Sequence, residues 1–386
     1  MRTSKPHLLY ITPGCFDKGG ISRYNRYQIA AFRDLLGPSH VSVYSLAGHS
    51  PEDFEDPFSI RFAAGGLSAS HKLQLLARTT FDVLRERPSI ILAAHVNLSG
   101  VARALARIAG SVSVLNIYGR EVWSGLRPDA RWGLLGANHV VADCHFTANY
   151  VEGEGMRSPG STSVVWDCVD TRKFCPGRVN PAVLEKYGIP DPAAFVNVLT
   201  LGRMTPDVAY KGYERLLEVF ARASAAVPNL RLVYAGRGSL VDSLRARARE
   251  LGTSERVHFA GAIDEPDLPD VYRSAQIFSL VGDRGVGRGE GLPLTAIEAA
   301  ACGVPILVGN QDGSREAIVE SRNGFHLHPF DPSAHLEKII ELARAPELRA
   351  RLGAGGAEVA KGFFSFEGFH KKHEALLGTW LTRVRP

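Results

Sequence analysis

Short apolar runs alternate with longer amphipathic segments from one end of the chain to the other. The first half reads HLLYIT, SRYNRYQIAAFRDLL, HVSVYSL, KLQLLARTTFDVLRE, SIILAAH, GVARALARIA and SVSVLNIYG, in that order. The apolar runs suit strands, and the segments with apolar residues every three or four positions suit helices. Strand, helix, strand in succession predicts right-handed βαβ units, and so a parallel sheet covered by helices on both faces.

The rhythm breaks over residues 170–192, where DTRKFCPGRVNPAVLEKYGIPDP gathers prolines and charged residues, and a linker is predicted there. It resumes with AFVNVLTLGR, the helical GYERLLEVFARASAA, then LRLVYAG, SLVDSLRARAREL, RVHFAG, DLPDVYRSA and QIFSLV, a second doubly wound arrangement. This gives a first α/β domain over residues 1–172 and a second over 173–364. The amphipathic SFEGFHKKHEALLGTWLTRV, with Phe366, Phe369 and Trp380, reads as a last helix over 365–386 packing back on the first domain. Two such domains are expected to leave a cleft at the carboxyl ends of their strands, where open α/β sheets bind ligands.

Composition narrows the class. At 386 residues there is room for about two domains of ordinary size, and 45% hydrophobic content fits a globular chain. The apolar stretch near the N-terminus is too short for the core of a signal peptide, and no run reaches the roughly 18–20 apolar residues of a membrane span. The five cysteines are scattered with no Cys-x-x-Cys pair, which argues against a disulfide framework or zinc knuckle and for a reducing cytoplasm. Up to residue 175 there are 19 Lys and Arg against 15 Asp and Glu, and afterwards 26 against 25. An excess that small does not signal nucleic acid, but it suits an anionic ligand or an acidic membrane face. Lys72, Arg78, Arg85 and Arg87 mark one side of the second long helix as the place for peripheral membrane contact, a solvated basic face being the plainer alternative.

The chemistry concentrates in EGLPLTAIEAAACGVP, residues 290–305. Pro293 suits a helix's first turn, Gly303 its C-terminal cap, and Pro305 stops continuation, so a helix is predicted over about 293–302. Glu290 then lies in the loop before the helix and Glu298 on its second turn. Backbone N–H groups from Leu292 to Thr295 stand between the two carboxylates, and a helix N-terminus attracts phosphate. A carboxylate beside an anion does not help by charge, but it accepts hydrogen bonds from a vicinal diol. A nucleotide diphosphate sugar, with a diol at each end and a diphosphate between, matches that order; an ordinary exposed pair of glutamates at a helix start is the alternative.

Further candidates stand at predicted strand ends. Arg203 follows AFVNVLTLG and Lys211 precedes the next helix, a planar fork and a mobile point charge that together suit a diphosphate without a metal. Gly236 and Gly238 in YAGRGSL allow close backbone approach to a ligand, though a plain βα turn uses the same glycines. The full Gly-x-Gly-x-x-Gly of a nicotinamide site and the Lys-Ser/Thr of a P-loop are both missing.

These residues resemble the retaining GT-B glycosyltransferases of glycosyltransferase family 4, over nearly the whole chain. The resemblance rests first on Glu290 and Glu298 with GLPL and ACGVP around them. GGISRY at Gly19 to Tyr24, LGR ending in Arg203, KG at Lys211, AGRGSL and DCVDTRKFCP support it. It implies two Rossmann-like domains, a UDP- or GDP-linked sugar held by the second, a saccharide, lipid-linked or small-molecule acceptor held by the first, and no metal. By position it implies that Arg203 and Lys211 hold the diphosphate, with Gly291, Leu292, Leu294 and Thr295 beside it. Glu298 would take the ribose, Glu290 a hydroxyl of the transferred sugar, and Ile263 the base, while the loop at Gly19 and Gly20 closes over the phosphates. In NIYGREVWSGL, Glu121 and Trp123 fit the family, while Tyr118 stands where histidine is more usual; a tyrosine hydrogen-bonds a sugar but is no near-neutral base. Asp167-Cys168 stands where Asn-Gly is usual. His95 at a strand end, and Asp312, Ser314 and Glu316 after another, are further candidates, with structural or capping roles as alternatives. A UDP-sugar epimerase and a non-catalytic sugar-binding protein share the two-domain architecture and are the competing readings.

Overall fold

The computed structural model describes residues 5–16, 19–48 and 60–382. The chain forms two compact units: residues up to Cys168 together with those from Phe366 onward, and Val169–Ser365.

The first unit is built on seven parallel strands: β1 (Leu8–Thr12), β2 (Val41–Ser45), β3 (Phe62–Ala63), β4 (Ile90–Ala93), β5 (Val112–Ile117), β6 (His139–Ala142) and β7 (Thr162–Val164). Their order is β3-β2-β1-β4-β5-β6-β7. The order reverses between β1 and β4, which pair in register from Leu8 with Ile90 to Ile11 with Ala93. Alternate strand residues serve opposite faces. Leu9, Ile11, Ile91 and Leu115 pack under helices Ala69–Glu86, Ser99–Ala109 and Pro128–Gly136. Leu8, Tyr10, Leu92 and Val114 pack under Gly20–Leu36 and Phe366–Thr382.

The last helix presents Phe369, His373, Leu377 and Trp380 inward, a three-to-four spacing that makes one buried stripe. Phe32 of the first helix meets the His373 ring edge-on at 5.2 Å and Trp380 at 5.9 Å. Beneath these rings lies a buried polar network. Gln28 Nε2 is 2.9 Å from His373 Nε2 and donates to Asn116, whose amide donates back to Gln28 Oε1. Tyr10 and Tyr118 each place a hydroxyl on Asn25 Oδ1, at 3.0 and 3.1 Å.

The second unit has six parallel strands: β8 (Val196–Leu201), β9 (Leu230–Ala235), β10 (Val257–Gly261), β11 (Ile277–Leu280), β12 (Ile306–Gly309) and β13 (Gly324–Leu327). Their order, β10-β9-β8-β11-β12-β13, reverses between β8 and β11. β8 and β9 are buried through nearly their whole length because helices cover both faces. At such a reversal the chains leaving the two strands diverge in opposite directions and open a crevice beyond their carboxyl ends. Leu201 and Leu280 end on that edge, so the segments after them line it.

Candidate active site

Apart from Gly19 and Gly20, which belong to the first unit, every sequence-predicted donor residue sits at the carboxyl edge of the second sheet or on the helix beside it. Arg203 is two residues beyond β8, exposed, with no side-chain partner among the described residues. Its carbonyl accepts from the Tyr213 hydroxyl at 2.8 Å. Lys211 ends the 3₁₀ turn Pro206–Lys211, and Gly212 follows in the left-handed conformation before helix Tyr213–Ala226. A side chain on Gly212 would start 2.5 Å from the Val281 carbonyl, so only glycine lets the turn lie this close to the end of β11.

That packing brings Lys211 Nζ within 3.2 Å of Glu290 Oε1. The Tyr210 hydroxyl donates to the same oxygen at 2.8 Å, and Glu290 Oε2 has no partner among the described residues. The backbone of Glu290 is fixed as well: its N–H donates to Asp312 Oδ2 at 2.7 Å, and its carbonyl accepts from Gly313. Asp312 Oδ1 accepts the Ser314 N–H at 3.0 Å. Asp312 is thus both a loop cap and the anchor of the glutamate. Burial, with the charge of Glu290 adding to it, pushes its carboxyl up to about 7 against these two N–H groups. Ser314 is buried beside it and Glu316 lies half-buried in the same turn.

Helix Leu294–Ala301 has Pro293 as its N-cap and no capping side chain. The expected row of N–H groups from Leu292 to Thr295 is interrupted, since Pro293 carries none. The N–H groups of Leu294 and Thr295 have no acceptor among the described residues, while Ala296 already bonds back to Pro293. Gly291 and Leu292 complete the loop, with Leu292 buried. Glu298 is 1% exposed, and its Oε2 accepts the Tyr272 hydroxyl at 2.7 Å. Neither glutamate points into bulk solvent; Glu290 has a side-chain exposure of 15%.

Gly236 and Gly238 have a local reason for being glycine. With φ of +133° and +154°, side chains there would start 1.9 Å from the Gly202 carbonyl and 2.1 Å from that of Met204. The backbone they admit is the loop that carries Arg203, locked further by Met204 N–H to Arg237 O at 3.0 Å and Leu240 N–H to Met204 O at 2.9 Å. Ile263 is buried just past the carboxyl end of β10.

Three residues absent from the sequence reading complete this edge. Tyr210 and Tyr272 orient the two glutamates, and Arg215 clamps the loops. Arg215 Nη1 pairs with Asp283 Oδ2 at 2.9 Å, and its Nη2 donates to the Tyr210 carbonyl at 3.2 Å, tying the segment after β8 to the segment after β11. Tyr210 is set apart in the sequence only by its place beside Lys211, while Arg215 and Tyr272 sit on helices Tyr213–Ala226 and Leu268–Arg273 with no local signal.

In the first unit, Gly19 has extended backbone and Gly20 begins helix Gly20–Leu36, each with open space where a side chain would stand. Tyr118 precedes the short helix Gly119–Trp123, with Glu121 in its first turn. The structure buries Tyr118: its ring meets Tyr24 edge-on at 5.4 Å, and its hydroxyl is engaged by Asn25. His95 Nδ1 accepts the Asn97 N–H at 3.1 Å, and burial depresses it to about 4, so it is a neutral capping residue. Burial raises Asp167 to about 8, the nearby Asp143 adding to the effect.

Two doubly wound parallel sheets with flanking helices define the GT-B class of glycosyltransferases. Residues 192–359 match the family described as Glycosyl transferases group 1. A GDP-mannose-dependent alpha-(1-6)-phosphatidylinositol monomannoside mannosyltransferase of Mycolicibacterium smegmatis is 28% identical over 259 residues, covering 65% of this chain and 66% of that protein. The GDP-mannose-dependent monoacylated alpha-(1-6)-phosphatidylinositol monomannoside mannosyltransferase of Corynebacterium glutamicum is 26% identical over 360 residues, 90% of this chain and 91% of that one. In fold, the chain is similar to Anabaena HepE, solved in complex with UDP, with a TM-score of 0.78 at 16% identity over 97% of this chain and 100% of that one. Residues 192–359 belong to the group 1 glycosyl transferases by this match, the relatives are named glycosyltransferases, and the chain is a glycosyltransferase.

Proposed function

We propose that this enzyme is a retaining glycosyltransferase of family 4 that moves a hexose from a nucleotide diphosphate to a saccharide, lipid-linked saccharide or small-molecule acceptor. It would serve bacterial polysaccharide or glycoconjugate synthesis from the cytoplasm, with peripheral contact at the inner face of the membrane. The observation that carries this reading is the pair Glu290 and Glu298, each held by a tyrosine hydroxyl, on either side of the Leu294 and Thr295 N–H groups. The sequence relatives named as GDP-mannose-dependent support mannose carried on GDP as the donor.

In this reading Arg203, Lys211 and the two amides meet the diphosphate. Glu298 accepts from the ribose diol, Glu290 Oε2 from a hydroxyl of the sugar, and the backbone at Ile263 meets the base. The bond from the anomeric carbon to the phosphate oxygen breaks as the acceptor oxygen bonds that carbon from the same face. The acceptor's proton passes to the departing phosphate oxygen, so no side chain has to become a nucleophile. The demand on the protein is charge stabilisation of the leaving group, which preorganised cations and N–H donors supply without a metal. The first unit would hold the acceptor, with Glu121 contributing, while its Gly19-Gly20 loop would close over the donor phosphates.

Nucleotide diphosphate is expected to raise the melting temperature, GDP more than UDP, and Glu298→Ala to abolish the shift. An undiminished shift in the variant contradicts the ribose assignment.

A further inference from the structure

The amino edge of the second sheet, opposite the edge that carries Arg203 and Lys211, holds two thiols that the transfer reaction does not use. Beside the starts of β11 and β12 lies a cavity of about 420 Å³ whose wall includes Pro176, Gly177, Arg273, Cys302 and Gly303. Cys302 borders it, and Cys175 immediately precedes its Pro176 wall. Both are free thiols, Cys175 half-buried and Cys302 buried. Arg273 fixes the first of them: its Nε donates to the Cys175 carbonyl at 2.8 Å, and its Nη2 to Cys175 Sγ at 3.5 Å. The Cys175 N–H faces the Cys302 sulfur; burial outweighs it and the Arg273 charge, pushing that thiol up to about 12. A partly exposed sulfur beside a guanidinium is placed to react with an outside partner, whereas a buried thiol reacts with one brought to it.

Both thiols are tied to Glu298. Cys302 is the C-cap of helix Leu294–Ala301, and its N–H donates to the Glu298 carbonyl at 3.0 Å, one turn back along the helix. Phe174, next to Cys175 and 1% exposed, packs edge-on against Tyr272 at 6.0 Å, and the Tyr272 hydroxyl is the donor that holds Glu298 Oε2. Arg273, the residue after Tyr272, is the one that grips Cys175. A bond between the two sulfurs would therefore pull at once on the helix that carries Glu298 and on the tyrosine that orients it.

We propose that Cys175 and Cys302 form a reversible thiol–disulfide site, oxidised by a low-molecular-weight disulfide, whose closure weakens donor binding. The Cys175 thiolate attacks one sulfur of the small disulfide; that S–S bond breaks, and one small thiol leaves with the proton that Cys175 gave up. The cavity gives the remaining adduct room beside Arg273. Cys302 then attacks the Cys175 sulfur, the mixed disulfide breaks, and the second small thiol leaves with the Cys302 proton. Two protein thiols have lost two electrons, and the small disulfide has been reduced to two thiols. The effect on the donor rests on the assignment of Glu298 to the ribose, whereas the chemistry of the pair does not.

The test treats the full chain with oxidised glutathione and reads it twice, by peptide mass mapping and by calorimetry with GDP. Wild type is expected to yield a peptide pair linked through Cys175 and Cys302 that dithiothreitol separates. GDP affinity should fall about tenfold on oxidation, the worth of one displaced hydrogen bond, and return on reduction. Cys302→Ala should stop at a glutathione adduct on Cys175, and Cys175→Ser should give neither adduct nor link and keep its GDP affinity in the oxidant. No linked peptide in wild type, a link between other cysteines, or a linked protein that binds GDP as tightly as the reduced one would overturn the proposal. Reduced protein that does not bind GDP at all would overturn the donor assignment and with it the effect on the donor, while the linked peptide would still decide the chemistry of the pair.

Discussion

Glu290 owes its position to groups far apart in sequence: Tyr210 and Lys211 on its side chain, and Asp312 and Gly313 on its backbone. Such a carboxylate is oriented before any substrate arrives, so Glu290→Gln is expected to lower kcat/KM by at least tenfold and also to lower the melting temperature, since it leaves the largely buried Lys211 ammonium without its partner charge. Steady-state kinetics beside thermal melting reads both. Tyr272 is different, because its hydroxyl serves a carboxylate inside the core. Tyr272→Phe leaves that acceptor short of a donor, at a cost of about 1–3 kcal/mol in denaturant unfolding. His373 offers a test through pH. It is buried and neutral, its Nδ1 donating to the Phe369 carbonyl and its Nε2 accepting from Gln28, with burial depressing it to about 4. Between about 4 and its ordinary 6.5 the unfolded chain binds a proton that the folded chain refuses, so stability falls as pH drops through that window. The raised Asp167 and Asp312 act with the opposite sign: their contribution is present at acid pH and is lost as pH rises through about 8 and about 7. In His373→Gln, melting temperature measured from pH 6.5 to 4 should fall less than in wild type; an identical slope would remove the histidine from the account.

At the scale of elements, strands, helices and the Glu-bearing loop were legible because each is local: apolar runs made strands, and Pro293 and Gly303 bracketed the helix to within a residue. The clamps were not legible, because Arg215 to Asp283 and Tyr272 to Glu298 join residues 68 and 26 positions apart. The sequence reading gave Gly236 a ligand to approach, and the neighbour actually there is the Arg203 loop. Tyr118 read as a sugar contact because its position matched a family pattern, and nothing local announced that Asn25 would take its hydroxyl into a buried network. The β9 turn supplies a prediction of its own. Gly236→Ala must push the Gly202 backbone away, so it should weaken GDP binding by at least tenfold in calorimetry although no ligand atom is expected there. Unchanged affinity would show the Arg203 loop to be dispensable. In the first unit, Trp380→Ala removes the largest fully buried side chain from beneath Phe32, with an expected loss of about 3–5 kcal/mol.

Across the molecule, each unit closes its own core around its own parallel sheet, and the arginine, lysine, amides and glutamates assigned to the donor all come from Val169–Ser365. The βαβ rhythm carried this architecture from the sequence. The particular sugar and acceptor rest on pocket shapes that periodicity does not encode. The account stands on one claim, that Arg203, Lys211 and the start of helix Leu294–Ala301 bind a sugar diphosphate and stabilise it as it leaves. Its most direct test is slow donor hydrolysis without acceptor over a panel of nucleotide sugars, following nucleoside diphosphate release. The account predicts release from one donor, GDP-mannose first, and a drop of roughly 10²–10³ in Arg203→Ala and Lys211→Ala. Release from no donor, or full activity in both variants, would contradict it.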